Sequence, residues 1–428
     1  MNPDPESTDR RSFLKTGSLI TAASLLPGLA RAQGGAAEIK VALVGCGGRG
    51  TGAAAQSLNC PGTKLVAIAD AFEDNVKKAA DALKKQFPDR VDLPAERIFH
   101  GFDAYQKAID AADLVLLCTP PGFRPAHFEY AVEKGKHAFV EKPVAVDGPG
   151  IRKFIAAAKA ADAKNLKVVC GLQRHYQYSY LETLEQVKAG MIGEIVNSQV
   201  YWSGGGVWTR ARQEGMTEMQ YQMRNWYYFN WLCGDHICEQ HIHNLDVGNW
   251  FKGALPVKAN GIGGRTKRIG KDWGEIYDHH YVEYTYADGT TMNSQCKHWN
   301  GTWSKVSETI VGTKGTATPG VIKDLAGKII WRFRGQQNNP YQTEHDVLVK
   351  HIIENKPIND AHRTAEATLT SIMGRMATYT GQEVTWEQAL NSGLDTMPKT
   401  LAWDADPGPK PGPDGMYPAP IPGVTKSV

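Results

Sequence analysis

Ile39-Lys40-Val41-Ala42-Leu43-Val44-Gly45-Cys46-Gly47-Gly48-Arg49-Gly50 is the stretch on which the fold of this chain turns. Ile39 to Val44 is a short apolar run of the kind that forms a buried parallel strand. Gly45, Gly47 and Gly50 then spell G-x-G-x-x-G, and Thr51-Gly52-Ala53-Ala54-Ala55 opens a helix. In a dinucleotide-binding βαβ unit each glycine has a separate task. Gly45 makes the tight turn, Gly47 lets backbone approach a pyrophosphate, and Gly50 lets helix and strand pack closely. The pyrophosphate then lies on the helix N-terminus, where free N–H groups and the dipole favour negative charge.

A second apolar run, Leu65-Val66-Ala67-Ile68-Ala69, ends in Asp70, 20 residues after Gly50. At that spacing a carboxylate accepts hydrogen bonds from the adenosine ribose diol. The alternative for Asp70 is a helix cap for the segment that follows it. Ala71 and Phe72 supply no cation for a 2′-phosphate, so the reading favours NAD over NADP.

Outside this stretch, a formal net charge of +3 on 428 residues is too balanced for nucleic acid or an anionic membrane to be the main partner. The length suits two or three domains. Residues 1–32 read as a twin-arginine signal peptide. Asp9-Arg10-Arg11-Ser12-Phe13-Leu14-Lys15 is followed by a weakly apolar stretch and an A-x-A-like site at Ala30-Arg31-Ala32. The expected location is therefore the periplasm, or export by that route, with the twin-arginine translocation machinery as a partner. Such substrates cross folded, so a cofactor loaded in the cytoplasm can travel inside. The seven cysteines are odd in number and lack C-x-x-C spacing, so no essential disulfide is expected.

Asp113-Leu114-Val115-Leu116-Leu117-Cys118 reads as a further buried strand, with Thr119 and Pro120 at its carboxyl end and His127 in the next helix. Ligands of open α/β sheets bind at that end. Gly135-Lys136-His137-Ala138-Phe139-Val140-Glu141-Lys142-Pro143 repeats the pattern, a strand delivering Glu141 and Lys142. Together these motifs resemble the Gfo/Idh/MocA oxidoreductase family, that of glucose-fructose oxidoreductase and inositol dehydrogenase, from about Ile39 to Asn391. Glu-Lys-Pro is the most specific of them.

The resemblance implies an α/β architecture: a Rossmann domain over 37–172, then an α+β domain over 173–395 with a large, mostly antiparallel sheet. It implies that Lys142 reaches the nicotinamide and the substrate hydroxyl, with Glu141 near the nicotinamide ribose. The expected nucleotide contacts are Gly45, Gly47, Gly48, Arg49, Gly50, Asp70, Thr119, Pro120, His127, Glu141 and Lys142. The chemistry is consistent with this. Oxidising a secondary alcohol removes a hydride from carbon and a proton from oxygen, and a cation beside that oxygen stabilises the developing alkoxide.

Many family members carry D-x-x-x-H on a helix, the histidine being the acid/base. Glu239 and His243 match it four residues apart, with Glu in place of Asp and with His241 where a small residue is common. On one continuous helix both would share a face, the carboxylate orienting the ring, and the base is His243 or His241. A metal set drawn from His236, Glu239, His241, His243 and Asp246 is the rival reading; the expectation is no metal. Arg174, His175, Trp226 and His241 are candidate substrate contacts. The aromatic run Asn225 to Trp231 suits sugar rings or a packed core equally. Asp278-His279-His280 is a further candidate for facing the cleft. After Asp395 proline and glycine dominate, predicting an extended tail over 396–428.

These readings point to an exported NAD-dependent oxidoreductase acting on a secondary hydroxyl of a sugar. Its NAD would be tightly held and recycled internally, because free NAD is scarce outside the cytoplasm. The first alternative is a redox-neutral glycosidase working by transient C3 oxidation and elimination. The second is a non-catalytic sugar-binding protein. A homo-oligomer, dimer or tetramer, is expected by the resemblance.

Overall fold

Alternate residues of β1 (Ile39–Val44) feed two different cores: Val41 and Leu43 point to one side of the sheet, Ala42 and Val44 to the other. A strand buried on both faces needs helices on both faces, the condition of a parallel doubly wound sheet. In the computed structural model, which describes residues 38–426, that sheet is present. The twin-arginine stretch lies outside the described residues.

The sheet has β2 (Thr63–Asp70), β3 (Ile98–His100), β4 (Leu114–Leu117), β5 (His137–Val140) and β6 (Val168–Cys170) beside β1. The order is β3-β2-β1-β4-β5-β6, every pair parallel. The switch point lies between β1 and β4, where a crevice opens at the carboxyl ends. β3 is a three-residue strand without alternation and is not legible in the sequence.

The second sheet runs β7 (Ile195–Gly204), β8 (Lys258–Gly264), β9 (His279–Thr285), β10 (Thr291–His298), β11 (Lys305–Gly312), β12 (Gly315–Thr318), β13 (Val321–Asp324), β14 (Ile329–Arg332) and β15 (Val384–Thr385). Its order is β14-β13-β12-β11-β7-β10-β9-β8-β15, antiparallel except for the central β7/β10 pair. Alternation sorts its faces. Val200, Val282, Tyr284, Met292 and Ile310 are buried, while Ile262, Tyr281 and Val306 on the other face are exposed. The helices Ile242–Lys252 and Ala361–Thr380 cover the buried face, and Ala361–Thr380 also packs on Gly148–Ala163 of the first domain.

The C-terminal segment departs from expectation. Its described residues have no regular structure, yet they are packed down: Tyr417 is buried against Phe229 and Tyr221, and the Gly423 N–H donates to Thr380 O at 2.7 Å. Its prolines suit an extended path, and its aromatic side chains attach that path to the body. Among the described residues no helix is long and apolar enough to cross a membrane.

The glycine turn is held by sterics. A Cβ on Gly50 would lie 1.9 Å from Gly45 O, whereas one on Gly48 would meet nothing within 4 Å. Gly50→Ala is expected to destabilise the nucleotide-free protein by about 3 kcal/mol or more, and Gly48→Ala by no more than about 0.5 kcal/mol. Urea unfolding of the two variants checks the contrast; equal midpoints would refute it.

Candidate active site

The glycine turn forms an open cradle. Gly45 sits at φ +97°, where a side chain would strike the backbone of Cys118 and Thr119, so only glycine fits. Above Gly47 and Gly48 there is free space, and the helix Gly48–Asn59 starts with no side-chain cap and no acidic residue in its first turn. Its first amides are thus unclaimed by side chains and suit a pyrophosphate. Asp70 ends β2 and accepts from Cys46 N at 2.7 Å, Phe72 N at 2.9 Å and Asn75 Nδ2 at 3.2 Å. Two backbone donors fix the carboxylate beside the cradle, with acceptor capacity left for a ribose hydroxyl. Burial raises its pKa, and those donors oppose the shift. These groups fit a bound dinucleotide.

Thr119 and Pro120 lie half-buried past the end of β4, and Thr119 Oγ1 pairs with His127 Nδ1 at 3.2 Å. Burial, then the nearby Arg124, lowers His127 to about 3, so its ring is neutral. Arg49 differs from expectation. Its guanidinium turns to the protein, donating to Glu141 Oε1 at 2.5 Å and Glu344 Oε1 at 3.2 Å. Glu141 is nearly fully buried, and a Cβ on Gly171 would lie 2.8 Å from its Oε2. Gly171 therefore makes room for it. Burial raises the pKa of Glu141, but Arg49, Lys142 and Arg124 outweigh that and leave it below the usual range. Glu141 is ionised and anchors the turn after β5. Glu344 comes from the helix Pro340–Ile353, far along the chain, and no sequence signal marked it.

Lys142 meets the second domain. Its Nζ donates to Glu239 Oε1 at 2.9 Å and to Glu239 O at 2.5 Å. Here the expected helix is corrected. Glu239 ends the short helix His236–Glu239, capped by Gln240, and His243 belongs to the next helix, Ile242–Lys252. The carboxylate holds the lysine instead of orienting the histidine.

His243 is buried, stacks on Trp202 at 6.0 Å between centroids, and has an unpartnered Nδ1. Burial, then the charges of Lys142, Arg174 and Arg49, holds its pKa well below the ordinary range. The imidazole is therefore neutral, and Lys142 is the first of the cations that keep it so. His241 turns away: its Nε2 meets Ser294 Oγ at 2.7 Å, beneath β10 and fully buried.

Two expected substrate contacts are engaged in buried pairs. Arg174 donates to Glu308, which also accepts from Asn244, and His175 Nε2 lies 2.8 Å from Asp246 Oδ2 with its ring on Trp250. Such pairs fix the helix Ile242–Lys252 to the sheet and the domain junction, because an unpaired charge there would be costly. Trp226 is half-buried against Trp208 and Tyr227, while Trp231 is buried and donates to Gln222. The aromatic run is therefore mainly core.

The five residues of the rival metal set are dispersed among these other partners. Asp235, His236 and His280 come together instead. Asp235 accepts from His236, from Tyr277 N at 3.0 Å and from Tyr379 Oη at 2.5 Å. Protein donors fill that carboxylate, and it serves as a buried hydrogen-bonded anchor. Asp278 likewise accepts from the loop amides of Thr266 and Arg268, and His280 faces Thr378. Neither opens on the crevice as expected.

Residues 39–170 match the GFO_IDH_MocA family, described as "Oxidoreductase family, NAD-binding Rossmann fold". The match covers the first domain. Among curated proteins, the chain is 29% identical over 165 residues to a "Glycosyl hydrolase family 109 protein" of Porphyromonas gingivalis, covering 38% of this chain and 33% of that one. The chain spans about a third to under half of the length of the curated relatives it matches. Two solved structures share the fold. An aldose-aldose oxidoreductase from Caulobacter crescentus, complexed with glycerol, has a TM-score of 0.64 at 19% identity, covering 81% of this chain and 99% of its own. A scyllo-inositol dehydrogenase from Lactobacillus casei has a TM-score of 0.61 at 20% identity, covering 82% and 98%.

Behind this cradle, His345 is fully buried against Phe139 with both ring nitrogens unpartnered, and burial lowers it to about 3. Its unfolded value is near 6.5, so its stabilising effect is full above that pH and is lost as pH falls towards 3. His127 and His236, lowered to about 3 and about 4, act in the same sense. Each costs on the order of 1 kcal/mol per pH unit in that window. The urea midpoint is expected to fall from pH 7 to pH 5, less steeply in His345→Leu. An unchanged slope would refute the assignment.

Proposed function

We propose that this protein is an exported, NAD-dependent oxidoreductase that takes a hydride from a secondary hydroxyl carbon of a sugar, with NAD retained between turnovers. The observation that carries the reading is Lys142, held by Glu239 from the other domain at the carboxyl edge of the glycine-turn sheet. When bound, NAD supplies the hydride acceptor. The ammonium of Lys142 stabilises the substrate oxygen as its proton leaves, and Glu239 keeps Nζ in place. Neutral His243 receives the proton. Arg49 and Glu141 hold the turn from which Lys142 projects.

NAD is preferred over NADP because Asp70 remains an acceptor at the ribose position. Arg224, whose charge acts on Asp70, is tied to Asp74 at 2.6 and 3.0 Å. Export rests on Asp9–Lys15 and Ala30-Arg31-Ala32. All seven cysteines are free thiols, a state compatible with folding before export.

A second reading is favoured by the names of the curated relatives, which are glycosyl hydrolases. Oxidation at C3 of a glycoside acidifies the C2 hydrogen. Elimination then releases the C1 substituent, water adds, and return of the hydride restores the sugar. Lys142 and His243 perform the same proton transfers in both cycles.

The test is to purify the protein from the periplasmic fraction and assay bound nucleotide, then add sugars and aryl glycosides. Reduced nicotinamide that persists until a second carbonyl compound is added supports the oxidoreductase. Aglycone release with a transient signal supports the glycosidase. Lys142→Met is expected to lower the rate of either by about 100-fold or more while nucleotide stays bound. A folded wild type that binds neither NAD nor NADP would reject both cycles.

A homo-oligomer is the proposed assembly, its contact being the outer face of the nine-stranded sheet, where Ile262, Tyr281 and Val306 are exposed. Sedimentation equilibrium is expected to give a dimer or tetramer, and Tyr281→Lys with Val306→Lys to weaken it. A wild-type monomer at micromolar concentration would reject the assembly.

A further inference from the structure

The C-terminal segment has no part in the chemistry above, yet it is attached to three successive loops at the carboxyl end of the parallel sheet. Met397 lies over Gly122 after β4, where a Cβ would come within 2.9 Å of its sulfur. Trp403 rests on Phe72 after β2 and on Phe102 after β3, with ring centroids 5.0 and 4.6 Å apart. Thr396 N and Oγ1 fasten the start of the segment to Asp147 Oδ2 at 2.9 and 2.7 Å. Beyond Trp403 the segment crosses to the other domain: Gln222 Nε2 donates to Pro409 O at 2.7 Å, and Arg265 Nη2 to Tyr417 O at 2.7 Å.

The location gives the segment a task. Phe72 is two residues past Asp70 and its N–H donates to that carboxylate at 2.9 Å. The ring of Phe72 is therefore tied to the ribose-binding position. Arg224, brought from the second domain, lies with Cζ 3.7 Å from the Phe72 ring centroid and is held there by both oxygens of Asp74. Phe72 is thus contacted by an element of the second domain and by the C-terminal segment.

We propose that residues 396–409, through Trp403, together with Arg224, form a clasp over the adenosine end of the dinucleotide and set how fast it leaves. This rests on the reading that the first domain holds NAD. The loop carrying Asp70 and Phe72 moves only if Trp403 and Arg224 release the Phe72 ring. Release of nucleotide then requires detaching a segment fastened at both ends, which makes dissociation slow without any new contact to the nicotinamide. An enzyme whose cofactor is recycled in place needs that property. The aromatic surface also suits a purine, since base–aromatic stacking is favourable for any base.

The experiment uses the full chain loaded with the fluorescent analogue 1,N6-etheno-NAD, chased with excess NAD. Trp403→Ala and Arg224→Ala are each expected to speed release by about tenfold, and Trp403→Phe to keep it near wild type. Wild-type release rates in folded Trp403→Ala would overturn the clasp while leaving NAD binding intact. Hydrogen exchange on the wild type covers the case in which the variants do not fold. NAD is expected to slow exchange of the amides of 396–409, and no change there would overturn the clasp. Failure of the wild type to take up either nucleotide would remove the underlying reading as well, a result distinct from fast release.

Discussion

The ion pair between Lys142 and Glu239 joins the two halves of the molecule at the point where chemistry is expected. Lys142 stands at the end of a strand whose position is fixed by the parallel sheet. Glu239 stands at the end of a short helix in the second domain. Both side chains are largely removed from water, with 13% exposure each. In that setting an unpaired ammonium or carboxylate would be costly, so the pair constrains how the domains meet. The second bond, from Nζ to the Glu239 carbonyl, fixes the end of the helix as well as its side chain.

Behind that pair lies a row of buried charge. Arg49 bridges Glu141 and Glu344, linking the glycine turn, the Glu-Lys-Pro turn and a helix nearly 300 residues later in the chain. Arg174, Glu308 and Asn244 do the same for the helix bearing His243. These clusters hold the segments that carry Lys142 and His243. They also surround His243 with positive charge, and burial reinforces their effect in keeping its ring neutral.

Much of this was legible in order along the chain. The glycine turn, Asp70 at its distance, and Glu141-Lys142 at a strand end are local patterns, and each is built by residues close in sequence. What escaped was non-local or interrupted. Glu239 and His243 have helical spacing, but they belong to two successive helices, and spacing carries no information about where one ends. Arg174 and His175 sit in a position that suggested ligand contact, yet their side chains are paired with Glu308 and Asp246 from remote segments. The proline-rich terminus looked like a free tail because its anchors, Phe72, Phe102, Gln222 and Arg265, are distant in sequence.

By itself the sequence determined the doubly wound first domain, the all-glycine geometry of its turn and the residue types available for moving a proton, because sterics and periodicity act over short stretches. Only the tertiary structure decided which carboxylate meets which cation. It set Glu239 on Lys142, turned Arg49 inward, closed His241 under β10 and laid Trp403 on the loops beside Asp70. Those pairings follow from the cost of leaving buried charges and aromatic faces unmatched, a cost met between segments that the linear chain keeps apart.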